Sequence, residues 1–216
     1  MLATGSDRRS KSDGGQGRNP EATVESLIEA TIRQLAKVGE TGFRLGVVMR
    51  ETGVPTGSVY HHFGSREGLV AAARMVMYSR SVDEDLAMLD DRLRTPVIHD
   101  EFMAAIDSLV DLTNGEDRLP RRMQRAEVVG MAATNAVLAE SVGADQRRLV
   151  EKMAERLRAA VDCGAIRLEH DVEAVAAMLL VPVNGRTIIE LDSRRPPAGQ
   201  MSEIMKKFVR SVVLRP

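Results

Sequence analysis

Apolar positions recur at three- and four-residue steps along most of the chain, the period of amphipathic α-helices. The first stripe is Val24, Leu27, Ile28, Thr31, Ile32, Leu35 and Val38. Asn19 is placed to cap this helix, Pro20 suits its first position, and Gly39 suits its end. A short helix is predicted over about 44–52, with Leu45, Val48 and Met49 inward and Gly53 as its stop. Val54 is disfavoured as helix because it precedes Pro55. A second short helix then covers about 56–62. Ser65 caps a longer helix striped by Leu69, Val70, Ala73 and Val76 or Met77. Further helices are predicted over 96–113, 120–141, 144–162, 171–191 and 199–214. No strand-like alternation occurs, so the expected fold class is all-α.

Composition narrows the picture. The 216 residues are 44% hydrophobic and 28% charged, enough for a substantial core in one large or two small domains. Cys163 is the single cysteine, which excludes an intramolecular disulfide framework and a cysteine-built zinc site. The most apolar uninterrupted runs, 128–139 and 174–185, fall short of the roughly 20 residues a spanning helix needs. The start has no apolar signal core. These readings predict a soluble cytoplasmic protein with no membrane partner. The net charge of −1 divides into +3 over residues 1–80 and −4 over 81–216. Such a distribution permits nucleic-acid contact through the front only. Residues 1–18, with Arg8, Arg9, Lys11, Arg18 and several glycines, read as a disordered basic tail.

The chemistry concentrates in residues 44–69. Two short helices separated by Gly53-Val54-Pro55 make a helix-turn-helix. Val54 is the apolar residue that tucks under the turn, and Val59 and Phe63 give the second helix an inward edge. Its other edge is small and hydrogen-bonding: Thr56, Gly57, Ser58, Tyr60, His61 and His62. Short residues let a helix backbone approach a DNA groove, and the hydroxyls and imidazoles reach phosphates and base edges.

At these residues, GVPTGSVYHHFGSREGL over 53–69, the sequence resembles the DNA-binding signature of TetR-family transcriptional regulators. The resemblance extends over about residues 22–75. It implies a helix-turn-helix domain over 19–64, followed by a helical effector-binding and dimerisation domain over 65–216. It further implies a homodimeric repressor of a palindromic operator, released by a small-molecule effector. Thr56, Gly57, Ser58, Tyr60, His61 and His62 then fall on the recognition helix, with Tyr60 and His62 directed mainly to phosphates. Arg66 corresponds to a basic phosphate contact at the start of the fourth helix. Three positions depart from the pattern. Arg44 stands where a hydroxyl residue usually opens the second helix, which removes a cap and adds a cation. Met49 replaces a usual alanine, and Pro55 a usual serine. An all-helical regulator acting without an effector, or as an activator, is the alternative.

For the body, the methionines Met103, Met123, Met131, Met153 and Met178 are candidates to line a pocket for a small apolar effector. The resemblance assigns dimerisation to the last two helices. There Ala174, Ala177, Met178, Val181 and Gly185, and Met201, Ile204, Met205, Phe208 and Val212, are the candidate interface. Pro182 should kink the first of them or break one hydrogen bond. No enzyme is expected. His61 and His62 are neighbours that point about 100° apart on a helix, unsuited to one metal ion. His99-Asp100-Glu101 and His170-Asp171 fall at helix starts, where acidic groups favour the macrodipole. No nucleotide-cofactor or phosphate-loop motif occurs, so no metal or cofactor is expected.

Overall fold

The computed structural model describes residues 20–94 and 98–213. Among them the regular elements are helices: α1 (Pro20–Gly42), α2 (Leu45–Thr52), α3 (Thr56–Phe63), α4 (Arg66–Arg92), α5 (His99–Asn114), α6 (Leu119–Ala132), α7 (Ala136–Asp162), α8 (Val172–Glu190) and α9 (Ala198–Val212). A single 3₁₀ turn, Glu116–Arg118, joins α5 to α6. The chain divides into two compact units between Leu69 and Val70. The predicted tail (residues 1–18), the Asn19 cap and the predicted helix start at residue 96 lie outside the described residues.

In the first unit, α1, α2 and α3 enclose a small core of Leu27, Ala30, Phe43, Val48, Val54, Val59 and Leu69, all buried. The α1 stripe faces inward at Leu27, Ala30 and Thr31, whereas Val38 is largely exposed. Gly39 has φ +64° with extended ψ, so the path of α1 changes there before Gly42.

The second unit packs α5 against α9, and α6 and α8 against each other and α7. Its core includes Tyr78, Val82, Leu89, Leu93, Phe102, Ile106, Leu109, Leu149, Met153, Leu157 and Ile166. One helix boundary departs from expectation. The chain breaks at 133–135, not at 142–143, and α7 runs unbroken through Gly143. Asn135 explains the shift, because its side chain accepts hydrogen bonds from the amides of Val137 (3.1 Å) and Leu138 (3.2 Å). A true N-cap satisfies amides that a mid-helix glycine only weakens. Asp171 caps α8 in the same way, through the amides of Glu173 (3.0 Å) and Ala174 (2.9 Å).

By length and composition α8 is apolar enough to cross a membrane, contrary to the expectation from uninterrupted runs. Its charges are few and spaced, so they interrupt each run without making the helix polar. The C-terminal half of α8 is nonetheless anchored by a buried polar network. Glu190 accepts from Arg122 Nε (2.9 Å) and Nη2 and from Arg186 Nε (2.9 Å). Arg122 Nη1 donates to the carbonyls of Thr113 (2.8 Å) and Gly115 (3.0 Å). Arg186 Nη1 donates to the carbonyl (2.6 Å) and side-chain oxygen (2.8 Å) of Asn114. Arg122, Arg186, Glu190 and Asn114 are all buried. The network therefore fastens α8 to α6 and to the end of α5.

Burial raises the pKa of Glu190. The hydrogen bonds and charge of Arg122, joined by Arg186, lower it and prevail, holding it below the ordinary 4.5. A carboxyl whose folded pKa is depressed stabilises fully above its unfolded value and less as pH falls through the folded value. Unfolding free energy measured by urea titration should therefore decline below pH about 4.5, with a shallower decline in Glu190→Gln. Glu190→Ala should cost about 3–5 kcal/mol at neutral pH, because it strands two buried guanidinium groups. A Glu190→Ala protein as stable as the parent would show that the network does not hold α8.

Candidate nucleic-acid interface and ligand cavity

The helix-turn-helix is built by local hydrogen bonding and one buried residue. Gly53 takes a left-handed conformation (φ +64°, ψ +19°), and its amide donates to the Met49 carbonyl at 2.9 Å. This closes α2 where a Cβ would be strained. Thr52 Oγ1 donates to the Val48 carbonyl (2.9 Å) and accepts from the Val54 amide (3.3 Å). Val54 is thereby directed into the core, where it is buried. Pro55 is the N-cap of α3 and offers no side-chain acceptor. The first amides of α3 are left for solvent or phosphate.

Val59 fixes the inner face of α3, with no exposed surface. Thr56, Gly57, Tyr60, His61 and His62 are exposed and Ser58 is half-buried. Six candidate DNA contacts thus share one short helix that carries no acidic residue. The His61 and His62 rings meet edge-on, with centroids 4.9 Å apart. Among the described residues no group of three or more His, Cys, Asp or Glu is gathered to hold a metal.

Arg44 and Arg66 have structural attachments of their own. Arg44 is exposed, and its Nη1 donates to the carbonyls of Thr41 and Phe43, both at 3.2 Å. Arg66 lies with its guanidinium carbon 4.9 Å from the centre of the Phe43 ring. Its Nη2 donates to the carbonyls of Glu40 and Phe43, each at 3.4 Å. Arg66 therefore ties the start of α4 to the α1–α2 connection. Ser65 Oγ accepts from the Gly68 amide at 2.9 Å and caps α4.

In the second unit the five candidate methionines do not converge. Met153 lines a mostly apolar cavity of about 80 Å³, together with Met88, Leu109, Leu149, Leu179 and Met205. Met123 lines an adjoining open cleft of about 530 Å³. Met103 is buried in the core beside a separate groove that includes His99 and Arg210. Met131 packs half-buried against the core, and Met178 is exposed. Helical period alone could not tell these environments apart. The cavity and the cleft share Asp85, Thr113, Arg125, Val183 and Asn184.

Sequence reading missed the arginines of the cleft, Arg118, Arg121, Arg122 and Arg125. Their three- and four-residue spacing was the available signal, since it gathers them toward one side of a helix.

The candidate interface residues divide as well. Ala174, Met178, Val181 and Gly185 are exposed on α8 and Ala177 is half-buried. Ile188, which the sequence reading did not include, continues the stripe at 77% exposure. On α9, Ile204 is 68% exposed, with Met201 and Phe208 half-buried beside it. Met205 and Val212 instead pack against the core. The reading had merged two neighbouring faces of α9, because positions 204 and 205 lie only about 100° apart around the helix.

Two glycines give contrasting tests. A Cβ on Gly68 would collide with the Phe63 carbonyl oxygen, whereas one on Gly57 would meet no atom within 4 Å. Gly68→Ala should cost about 1–3 kcal/mol in chemical denaturation, as overpacking does. Gly57→Ala should leave stability equal or raise it by up to about 1 kcal/mol. Equal stability of the two variants would refute the close approach at Gly68.

Residues 27–73 match the family described as bacterial regulatory proteins, tetR family. No curated protein matches the chain. Solved structures resemble it over most of its length. A TetR transcription regulator from Haloarcula marismortui has a TM-score of 0.63 at 16% identity, covering 90% of this chain and 100% of that one. A transcriptional regulator from Saccharomonospora viridis, solved in complex with choline, has a TM-score of 0.63 at 18% identity, covering 91% and 100%. A TetR-family transcriptional regulator from Agrobacterium tumefaciens has a TM-score of 0.57 at 14% identity, covering 91% and 100%. At such identities the likeness speaks for the fold, and the family is carried by the helix-turn-helix segment. Residues 27–73 thus carry a tetR-type DNA-binding segment, and the rest of the chain shares the all-helical fold of the solved regulators it resembles.

Proposed function

We propose that the protein is a cytoplasmic, homodimeric repressor that binds a palindromic operator and is released by a small molecule bound in its helical body. The observation that carries the DNA-reading role is α3. Its inner edge is locked by Val59, and its outer edge presents small and hydrogen-bonding side chains with no carboxylate. Thr56, Gly57 and Ser58, at the uncapped start, approach base edges. Tyr60, His61 and His62 lie further along the same helix, with Tyr60 and His62 donating to phosphates. Arg44 and Arg66 add positive charge at the flanks.

Dimerisation is supported by the exposed flank of α8. Ala174, Met178, Val181, Gly185 and Ile188 step by four, three, four and three residues, the repeat of a helix seam that packs against another helix. Exposed Ile204 on α9 supplies a second apolar edge. The occupant we assign is a second copy of this chain, since a twofold pairing lets one apolar stripe serve both partners. Two recognition helices then address one face of a duplex, which predicts an operator with twofold symmetry.

Release is assigned to the cavity. Met88 and Leu89, which line it, belong to α4, and α4 starts at Arg66 beside the recognition helix in sequence. An effector that favours one position of α4 over another shifts the protein between DNA-binding and non-binding states. The choline complex of the Saccharomonospora viridis protein supports ligand capture by a body of this fold.

Selection of bound sequences from a random duplex pool should recover a palindrome. Absence of enrichment by a folded dimer would refute operator reading by α3. Tyr60→Phe should weaken binding about tenfold across operators without altering base preference, because one phosphate donor is lost. Val181→Glu should yield monomers in sedimentation velocity, and a Val181→Glu protein that remains dimeric would move the interface elsewhere.

A further inference from the structure

The cleft adjoining the cavity is electrically lopsided. Arg118, Arg121, Arg122 and Arg125 line it against Asp85 and Glu127. Local pairing consumes most of this charge unevenly. Arg121 is held by Glu84, Asp85 (2.6 Å) and the Ser81 carbonyl. Arg125 Nε donates to Ser81 Oγ at 2.8 Å, and its Nη2 lies 2.7 Å from Asp85 Oδ2. That Nη2 is nevertheless a buried donor without a hydrogen bond. Glu127 is taken by Arg74.

Two positive charges remain. Arg122 and Arg186 are buried and share the single carboxylate of Glu190. Arg118, half-buried in the cleft wall, has no side-chain hydrogen bond or ion pair among the described residues. Excess positive charge beside a low-dielectric interior is costly unless an anion accompanies it.

The apolar side of the same region has a different character. The cavity beyond Asp85, Thr113, Arg125, Val183 and Asn184 is walled by Leu109, Leu149, Leu179, Leu180 and methionines. Its volume of about 80 Å³ is roughly half that of an engineered cavity known to hold benzene. It suits a short aliphatic chain rather than a ring system.

We infer that the ligand of this body is an amphipathic anion. A carboxylate head would lie in the arginine cleft, paired with Arg118 beside Arg122 and Arg125, and an aliphatic tail of a few carbons would pass into the cavity. Guanidinium groups recognise carboxylates through paired, charge-assisted hydrogen bonds. This deepens the effector reading given above and rests on it for the consequence at DNA, though not for binding itself.

Titration calorimetry with sodium octanoate, octan-1-ol, octyltrimethylammonium and sodium acetate tests the assignment on the full-length protein. Octanoate should bind at least about tenfold tighter than octanol, and the cation and acetate should bind more weakly still. Arg118→Gln should cut octanoate affinity about tenfold while leaving octanol unchanged. Met88→Trp, which fills the cavity from a half-buried position, should weaken octanoate and octanol alike. Octanol binding as tightly as octanoate, or an Arg118→Gln effect equal for both, would overturn the inference, as would no binding by octanoate. An operator-release assay separates the two readings. Octanoate that binds without releasing DNA would leave the anion site standing and remove its effector role. Octanol that releases DNA where octanoate does not bind would remove the anion site and leave the effector reading standing.

Discussion

One carboxylate shared between two buried guanidinium groups governs how the body of this protein is arranged. Glu190 draws Arg122 and Arg186 together, and their remaining donors reach the carbonyls that end α5. Helix ends leave carbonyls without partners, and burying them unsatisfied is expensive. Here the arginines supply the missing donors, so α5, α6 and α8 meet where a purely apolar junction would have left polar groups stranded. The opposite end of α8 is fixed more simply, by Asp171 at its cap. Between those two anchors the helix has an inner face of Val175 and Ala176 and an outer face of exposed aliphatic residues. A helix apolar on both flanks is stable in water only if its outer face finds cover.

The DNA-binding unit solves a different problem with fewer residues. Its core is small, and each of its short helices has only eight residues, too few to be stable alone. What rigidifies α3 is therefore tertiary: Val54 and Val59 buried from the turn and the helix, while the stacking of Arg66 on Phe43 fixes the start of α4 against the α1–α2 connection. The polar edge of α3 can remain short and unattached because none of it is needed for folding. That separation of duties lets a regulator change the bases it prefers without changing how it folds.

Much of this architecture was legible in the chain. Periodicity identified the helices, and Gly53-Val54-Pro55 with the residues that follow identified the helix-turn-helix, because apolar spacing and turn residues mark both in the local sequence. The break falls before Asn135 and not between 141 and 144, because the asparagine side chain caps α7 there and apolar spacing carries no mark of it. Phe43 escaped notice as a core residue, since it stands outside any periodic stripe. The arginines of α6 were equally hidden. Charged residues usually face water, and nothing near them in sequence announces that Glu190, 68 residues beyond Arg122, will bury one of them. Of the five methionines the sequence proposes for the pocket, only Met153 lines the cavity, for composition marks adaptable side chains without saying which face each helix turns inward.

Pro182 adds a final consequence. Having no amide hydrogen, it leaves the Met178 carbonyl without its helical donor midway along α8. The same turn walls the cavity through Leu179, Leu180, Pro182 and Val183. Flexing α8 there breaks no rung of the hydrogen-bond ladder that the fold had made, while the Glu190 anchor holds the far half in place. The softest point of the helix thus coincides with the wall that a bound molecule would press upon. A molecule entering that void would press on a turn with one hydrogen bond fewer to lose, while Glu190 holds the half of α8 beyond it.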